Sequence, residues 1–483
     1  MPGSLMELGE GLAAGDLSPE ALADACLARI RRFEPLLNAV LHVDPETTRA
    51  HASAAGRRRR RGQAGPLLGV PFALKDNISY RNLPMTCGSR ILEGYRPPYH
   101  ATVVERLEEA GAVLVAKANL DEFAMGSSGE YSAFGPTRNP WDPSRSPGGS
   151  SSGPVAAVAA GYVPFALGTD TGGSVRLPAS FCNVTALRPT YGVLSRYGVA
   201  AMASSLDQVG PIARDAAGIA TVLHALAGRD PLDSTSLDLP QREALQDLQP
   251  APLKGLKIGL PREYFGPGIE AGVRATLDTA LADLAKEGAV LIELSLPNTG
   301  VAIEAYYIAC TSEVSSNLSR YDGVRFGLRM NGLSVQDMLA ATRDRGFGDE
   351  AKRRILLGAF CLSKGYYDAF YLKALKARTL IRRDFDQAFA TVDIVATPVS
   401  PTVAFPLAEK TSDPLAMYLA DVFSVAPALA ALPCLSLPAG FTGGMPVGLQ
   451  LIGRPLEDVP LLRVAHAFQQ ITRHHLKTPN LDS

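Results

Sequence analysis

Cysteine, histidine, net charge and long apolar runs are all in short supply in this 483-residue chain, and each shortage removes a class of function. The six cysteines (Cys26, Cys87, Cys182, Cys310, Cys361 and Cys434) stand singly, with no CxxC pair and no zinc-site spacing. Buried thiols in a protein of the reducing cytoplasm are expected. A formal charge of −1 leaves no global field to attract nucleic acid or an anionic membrane. The most apolar stretch, Pro154 to Leu167, falls short of the ~20 residues that span a bilayer, and no basic region followed by an apolar core opens the chain. Neither GxxxxGK[ST] nor GxGxxG occurs, so no phosphate-cradling loop is expected. The seven histidines (His42, His51, His100, His224, His466, His474 and His475) lie in no motif-like context. Members of a Ser-His-Asp triad can be remote in sequence, but nothing supports one here.

What is present suits a soluble globular protein: 46% hydrophobic and 20% charged residues, over a length that allows a large α/β domain or two or three domains. The segment SPEALADACLARIRRFEP predicts a helix capped by Ser18, with Pro19 in its first turn and Leu22, Cys26, Ile30 and Phe33 on one face. The run Arg57 to Arg61 has no interleaved aromatics and lies between Gly56 and Gly62, which predicts a solvated surface loop rather than a phosphate patch. LLGVPFALKDNI reads as a strand, Val70 to Leu74, ending in a polar turn. Two helix–glycine–strand units follow, VVERLEEAGAVLVAKAN with a stop at Gly111 and LADLAKEGAVLIELSLP with a stop at Gly288; such alternation indicates a layered α/β architecture. From about Arg229 to Gly255 the chain is polar and proline-bearing, the composition of a surface linker, and the second half is expected to complete the same sheet.

The chemistry concentrates in SPGGSSSGPVAAVAAGYVPFALGTDTGGSVRLPASF, where two glycine- and serine-rich turns flank a small-residue helix and a short strand. Gly148–Gly149–Ser150 and Gly172–Gly173–Ser174 each end a glycine pair in a serine, and the intervening elements can bring the two hydroxyls together. With no histidine nearby, a reacting serine needs another base. Lys75 follows the apolar strand, where burial disfavours an ammonium and frees the amine; pairing of Lys75 with Asp76 at the strand end is the competing reading.

These three motifs, in this order, resemble the amidase signature family, whose core holds GGSS, then a DTGGS turn, with an upstream lysine after a VPxxxKD strand. The resemblance implies a Ser–cis-Ser–Lys trio of Ser174, Ser150 and Lys75, with Ser151 as the alternative bridging serine, and an oxyanion site at the backbone N–H groups of Thr171, Gly172, Gly173 and Ser174. It implies the amidase signature α/β fold, a large mixed β-sheet covered by helices on both faces. Residues 1–483 then form one amidase domain, with a helical N-terminal segment at about 1–66 and the linker at about 229–255. Ser152, Pro154, Val155, Asn183 and Ala186 depart from the family pattern. Asp170 and Arg176, beside the nucleophile turn, are expected to hold the loop rather than react.

Further segments, among them SEVSSNLSRYDGVRFG and GFGDEAKRRILLG, resemble the glutaminase subunits of that family. For those the resemblance implies hydrolysis of glutamine (or asparagine) and delivery of the ammonia to a partner B subunit that amidates Glu-tRNA(Gln), with a small C subunit holding the pair together. ATP and Mg²⁺ are expected on the B subunit, which also makes most of the tRNA contact; no cofactor, metal or membrane is expected for this chain. Arg354 and Asp421 match the family's clamp for an amino acid's carboxylate and ammonium, and Tyr306 or its neighbour Tyr307 completes it. The rival readings are a stand-alone amidase acting on a small carboxamide and a scaffold that has lost activity.

Overall fold

The computed structural model describes residues 3–482, and its strands form one eleven-stranded mixed sheet. In chain order they are β1 (Val40–His42), β2 (Pro71–Lys75), β3 (Val113–Ala118), β4 (Phe165–Asp170), β5 (Thr185–Arg188), β6 (Gln208–Ala213), β7 (Lys257–Pro261), β8 (Val290–Leu294), β9 (Ile394–Pro398), β10 (Cys434–Thr442) and β11 (Met445–Ile452). In space the order is β1-β3-β2-β4-β6-β5-β10-β11-β9-β7-β8. Strands β3, β2 and β4 run parallel toward one end, where β1 adds an antiparallel edge, β9, β7 and β8 run parallel at the other, and the middle is antiparallel.

Alternation along the strands gives the sheet two apolar faces, because successive side chains point to opposite sides. Phe72 and Leu74 of β2 join one core with Phe165 and Leu167 of β4, whereas Ala73 and Ala166 join another. Helices Ala216–Leu226, Ala271–Lys286 and Asp458–Ile471 cover the first face. On the opposite side, Pro19–Leu37 and Ser152–Ala159 cover the core that holds Ala73, and Ala302–Asn317 packs over a further core. The bulky residues thus fill the first interface, and the small residues around Ala73 let the helix Ser152–Ala159 approach the sheet closely.

Several local expectations hold. Ser18 accepts from the Ala21 N–H at 3.1 Å, Pro19 occupies the first turn, and Leu22, Cys26, Ile30 and Phe33 are all buried. Gly111 and Gly288 are left-handed and precede β3 and β8. The arginine run is a correction: Arg57–Arg60 form the last turn of the helix Pro45–Arg60, not a loop. Cations favour a helix C-terminus, and Arg58 and Arg59 also donate to the carbonyls of Glu109 and Leu68, both at 2.9 Å. The stretch at 229–255 holds turns and one short 3-10 helix, Arg242–Leu245, yet Asp233 pairs with Arg196 at 3.2 Å and Leu239, Leu245 and Leu253 are buried.

The residues that depart from the family pattern fit their positions. Pro154 is third in its helix, where a missing N–H removes no intrahelical bond. Asn183 takes the left-handed cap of the helix Arg176–Cys182 (φ 59°), and its amide donates to the carbonyls of His474 at 2.9 Å and Lys477 at 3.1 Å. Ser152 lies 3.1 Å from the Thr137 hydroxyl, and Val155 and Ala186 are fully buried in the small-residue core.

Candidate active site

Lys75 closes β2, and the turn carrying Ser174 follows β4, so both project from the carboxyl ends of adjacent parallel strands, the usual place for a crevice in an α/β sheet. The Lys75 amine is fully buried, 2.8 Å from Ser150 Oγ, 2.9 Å from Ser151 Oγ and 3.0 Å from Thr169 Oγ1. Asp76 does not pair with it. That carboxylate turns to Lys117 Nζ at 2.8 Å and accepts from the N–H and hydroxyl of Thr86 at 2.7 and 2.6 Å. Burial pulls the Lys75 amine down to about 7, against the opposing pull of Asp121, Asp170 and Asp207. A neutral amine, able to accept a proton, is therefore abundant near pH 7.

Proton placement separates the two candidate bridging serines. Ser151 donates to the Thr169 carbonyl at 3.0 Å and accepts from the Thr169 N–H at 3.3 Å, so its hydrogen is committed to the β4 backbone. Ser150 has no such commitment; its hydroxyl faces Lys75, and the Gly149–Ser150 peptide is cis. The Ser151 N–H donates to the Ser174 carbonyl at 3.0 Å, which brings the two serine turns against each other. Thr169 and Asn77, which sequence reasoning missed, complete this cluster: the Asn77 amide donates to Thr169 Oγ1 at 3.0 Å.

Buried charge holds the turn that carries Ser174. Asp170 accepts from Arg176 Nε and Nη2, both at 3.0 Å, from Arg188 Nη1 at 3.2 Å and from the Val175 N–H at 3.2 Å. Burial pushes this carboxyl up, but the two guanidiniums outweigh it and hold Asp170 at about 2. Thr171 donates to Asp207 at 2.8 Å. Among the described residues, no acceptor pairs with the N–H groups of Thr171, Gly172, Gly173 or Ser174, so these donors are left unclaimed by the chain. Side chains would not fit here: a Cβ on Gly172 would sit 2.6 Å from the Tyr306 ring, and one on Gly173 would sit 2.2 Å from Ser424 Oγ.

The residues expected to recognise an amino acid converge on the same turn. Tyr306 packs on Gly172, whereas Tyr307 lies beneath the Arg354 guanidinium, 5.1 Å from its ring centroid. Asp421 Oδ1 is 3.5 Å from where a Gly173 Cβ would be, and Ser424, three residues on, donates to the Gly172 carbonyl at 2.7 Å. Arg354 and Asp421 are both buried. Burial raises the Asp421 carboxyl to about 7, opposed by the Ser127 hydroxyl that donates to it and by Arg354. Ser127 was also missed; its only signal was its place in the segment NLDEFAMGSSGEYSAFGPTRNPWD.

Among the described residues no hydrogen bond joins Ser174 Oγ to Ser150 Oγ; the two serine turns meet through the Ser151 N–H, and a serine with free backbone donors packed against a hydroxyl–amine pair can carry out acyl transfer with the amine as the proton store. Among the described residues, no group of His, Cys, Asp or Glu is arranged to hold a metal ion, and no helix is long and apolar enough to cross a membrane.

Comparison with known proteins follows the same line. The family model described as "Amidase" matches residues 21–462. The A subunit of glutamyl-tRNA(Gln) amidotransferase from Moorella thermoacetica is 56% identical over 476 residues, covering 98% of this chain and 98% of that protein. Among solved structures, the A subunit of the Thermotoga maritima glutamyl-tRNA(Gln) amidotransferase aligns with a TM-score of 0.80 at 38% identity, covering 96% of this chain and 95% of that one. Native peptide amidase from Stenotrophomonas maltophilia aligns with a TM-score of 0.83 at 33% identity, over 99% of both chains.

Proposed function

The chain belongs to the amidase family, and we propose that it is the glutamine-hydrolysing subunit of a tRNA-dependent amidotransferase. It would release ammonia for conversion of Glu-tRNA(Gln) to Gln-tRNA(Gln). We take residues 1–483 as a single amidase domain of a cytoplasmic complex, with ATP, Mg²⁺ and most of the tRNA contact on a B subunit and a small C subunit holding the pair. The observation that carries this reading is the pairing of two devices: the Lys75–Ser150 contact of 2.8 Å, whose turn meets the Ser174 turn through the Ser151 N–H, and the buried opposite charges Arg354 and Asp421, the latter next to Gly173. An exposed apolar strip beside the clamp, including Leu356, Leu357 and Phe360 on the helix of Arg354, supports docking of a partner subunit.

Neutral Lys75 takes the Ser150 proton as Ser150 takes that of Ser174, and Ser174 Oγ attacks the side-chain carboxamide carbon of glutamine. The oxyanion of the tetrahedral intermediate faces the N–H groups of Thr171 to Ser174, where loss of one donor costs ~10²–10³ in rate. On collapse the relay returns the proton to the leaving nitrogen, so ammonia departs and a γ-glutamyl ester remains on Ser174. Water deprotonated through the same relay then cleaves that ester and releases glutamate. In the clamp, Arg354 holds the α-carboxylate, Asp421 the α-ammonium, and the Tyr306 ring closes the wall over Gly172.

The likeness to a peptide amidase keeps a stand-alone amidase as the second reading, and the clamp separates the two. Arg354→Ala and Asp421→Ala are expected to lower kcat/KM for glutamine by about 10²-fold, the effect of removing one partner of a buried charge contact. Hydrolysis of a small amide without α-substituents should change by less than about threefold, since neither charge touches the reacting bond. Steady-state kinetics on both substrates checks this, and equal losses would point to a different pocket.

The pH dependence follows from two groups near 7 with opposite charge requirements. Lys75 must be neutral to accept a proton, and Asp421 must be ionised to hold an ammonium, so each must lose a proton as pH rises. Well below pH 7 the logarithm of kcat/KM for glutamine should climb with a slope near two, whereas a small amide without an ammonium should give a slope near one. In Asp421→Asn the glutamine slope should fall to one. A slope of one for glutamine with the wild-type chain would remove Asp421 from recognition.

A further inference from the structure

Arg354 and Asp421 stand on different elements, the helix Asp349–Leu362 and the turn Leu419–Asp421, yet an α-amino acid can bridge them only if their separation is held. One buried carboxylate connects the two elements. Glu350 lies one helical turn before Arg354 and is 4% exposed; its Oε1 accepts from Arg354 Nε at 2.7 Å and from the Tyr418 hydroxyl at 3.0 Å. Tyr418 is the last residue of the short helix Pro414–Tyr418, three residues before Asp421. Its ring stacks on Tyr307 with centroids 3.8 Å apart at 22°, which leaves the hydroxyl little freedom. The other Glu350 oxygen is held by Arg353.

We propose that Glu350 and Tyr418 are positioning residues, a strut that sets the distance between the clamp's two charges and so selects α-amino acids over ligands carrying one charge. The proposal rests on the amino-acid clamp described above. Glu350 engages Arg354 through Nε alone, and among the described residues Nη1 and Nη2 donate to nothing in the chain, so the end of the guanidinium stays open to a carboxylate. On the other side, Tyr418 carries the constraint through one turn of backbone to Asp421, which Ser127 holds from a third segment. A ligand that meets only Arg354 or only Asp421 gains nothing from the separation; a ligand that meets both does.

The test compares three amides with the assembled complex: glutamine, glutaramate, which keeps the carboxylate and lacks the ammonium, and 4-aminobutanamide, which keeps the ammonium and lacks the carboxylate. Tyr418→Phe removes one hydroxyl and retains the ring stack. It should raise KM for glutamine about tenfold, the loss expected for one hydrogen bond to a charged group, with kcat within about twofold and both one-charge amides within about twofold in kcat/KM. Glu350→Gln, which keeps an acceptor oxygen but loses the buried negative charge, should raise the glutamine KM less than Glu350→Leu, which should match or exceed the Tyr418→Phe rise. An unchanged glutamine KM in Tyr418→Phe overturns the strut, and so does an equal loss on glutaramate, which would mean that the hydroxyl serves Arg354 alone. If the wild-type complex hydrolyses all three amides alike, the clamp itself is wrong and the strut falls with it, a result distinct from failure of the strut alone.

Discussion

Ser174→Ala is expected to lower glutamine-dependent amidation at least about 10³-fold while leaving ammonia-dependent amidation intact. Alanine has no hydroxyl to form the γ-glutamyl ester, so no ammonia is released from glutamine. The experiment assembles the chain with its proposed B and C partners, ATP, Mg²⁺ and misacylated Glu-tRNA, and measures Gln-tRNA formed from glutamine or from concentrated ammonium chloride. Activation of the tRNA-bound glutamate would occur on the other subunit, so added ammonia should restore product. The turn should keep its shape, because its backbone is held from outside: Asp170 by Arg176 and Arg188, Thr171 by Asp207 and the Gly172 carbonyl by Ser424. Failure of ammonia to rescue an intact complex would mean that Ser174 does more than release ammonia. A wild-type chain that never joins such partners would leave the stand-alone amidase as the better reading.

The support of that turn shows where the sequence was legible and where it was not. Features set within a few residues could be read directly: the Ser18 cap, the helix stops at Gly111 and Gly288, and the presence of short strands at the β2 and β4 segments. Lys75, Ser150 and Ser174 could be picked out as candidates because each sits in a motif whose order along the chain is distinctive. The preference for Ser150 over Ser151 rested on the family resemblance; both hydroxyls reach the amine, and the Thr169 backbone, eighteen residues from Ser151, takes the Ser151 proton out of play. Pairing of Lys75 with Asp76 looked equally plausible until Lys117, from the neighbouring strand, claimed that carboxylate. The arginine run misled because flanking glycines suggest a loop, while the capping by Asp44 that starts the helix lies a dozen residues upstream.

The clamp's supports were hidden for a related reason. Ser127 and Asp421 are 294 residues apart and Glu350 and Tyr418 are 68 apart, so no local pattern joins them. Glu350 and Arg354 do have helical i, i+4 spacing, but that spacing on a surface helix usually marks an exposed pair worth little. Burial changes its meaning. With both side chains 3% exposed, the pair orients a guanidinium instead of decorating a surface.

Lys75→Arg should be nearly as damaging as Lys75→Ala, and the reason is protonation rather than charge or size. Burial brings the Lys75 amine down to about 7, so near neutral pH the amine can be neutral and able to accept a proton through Ser150. A guanidinium stays protonated at every pH at which the protein is folded and cannot act as the proton store. It would also be a fixed, bulkier positive charge in a fully buried site whose hydrogen-bonding neighbours are the hydroxyls of Ser150, Ser151 and Thr169, with no carboxylate in direct contact. Glutaminase activity in the assembled complex should therefore fall at least about 10³-fold in both variants, with no recovery at higher pH in the arginine form. Assembly, and amidation from free ammonia, provide the control for folding. If the arginine variant kept more than about a tenth of the wild-type rate, a barrier change of only ~1.4 kcal/mol, Lys75 would be a structural cation, and the proton would have to leave Ser174 by another route.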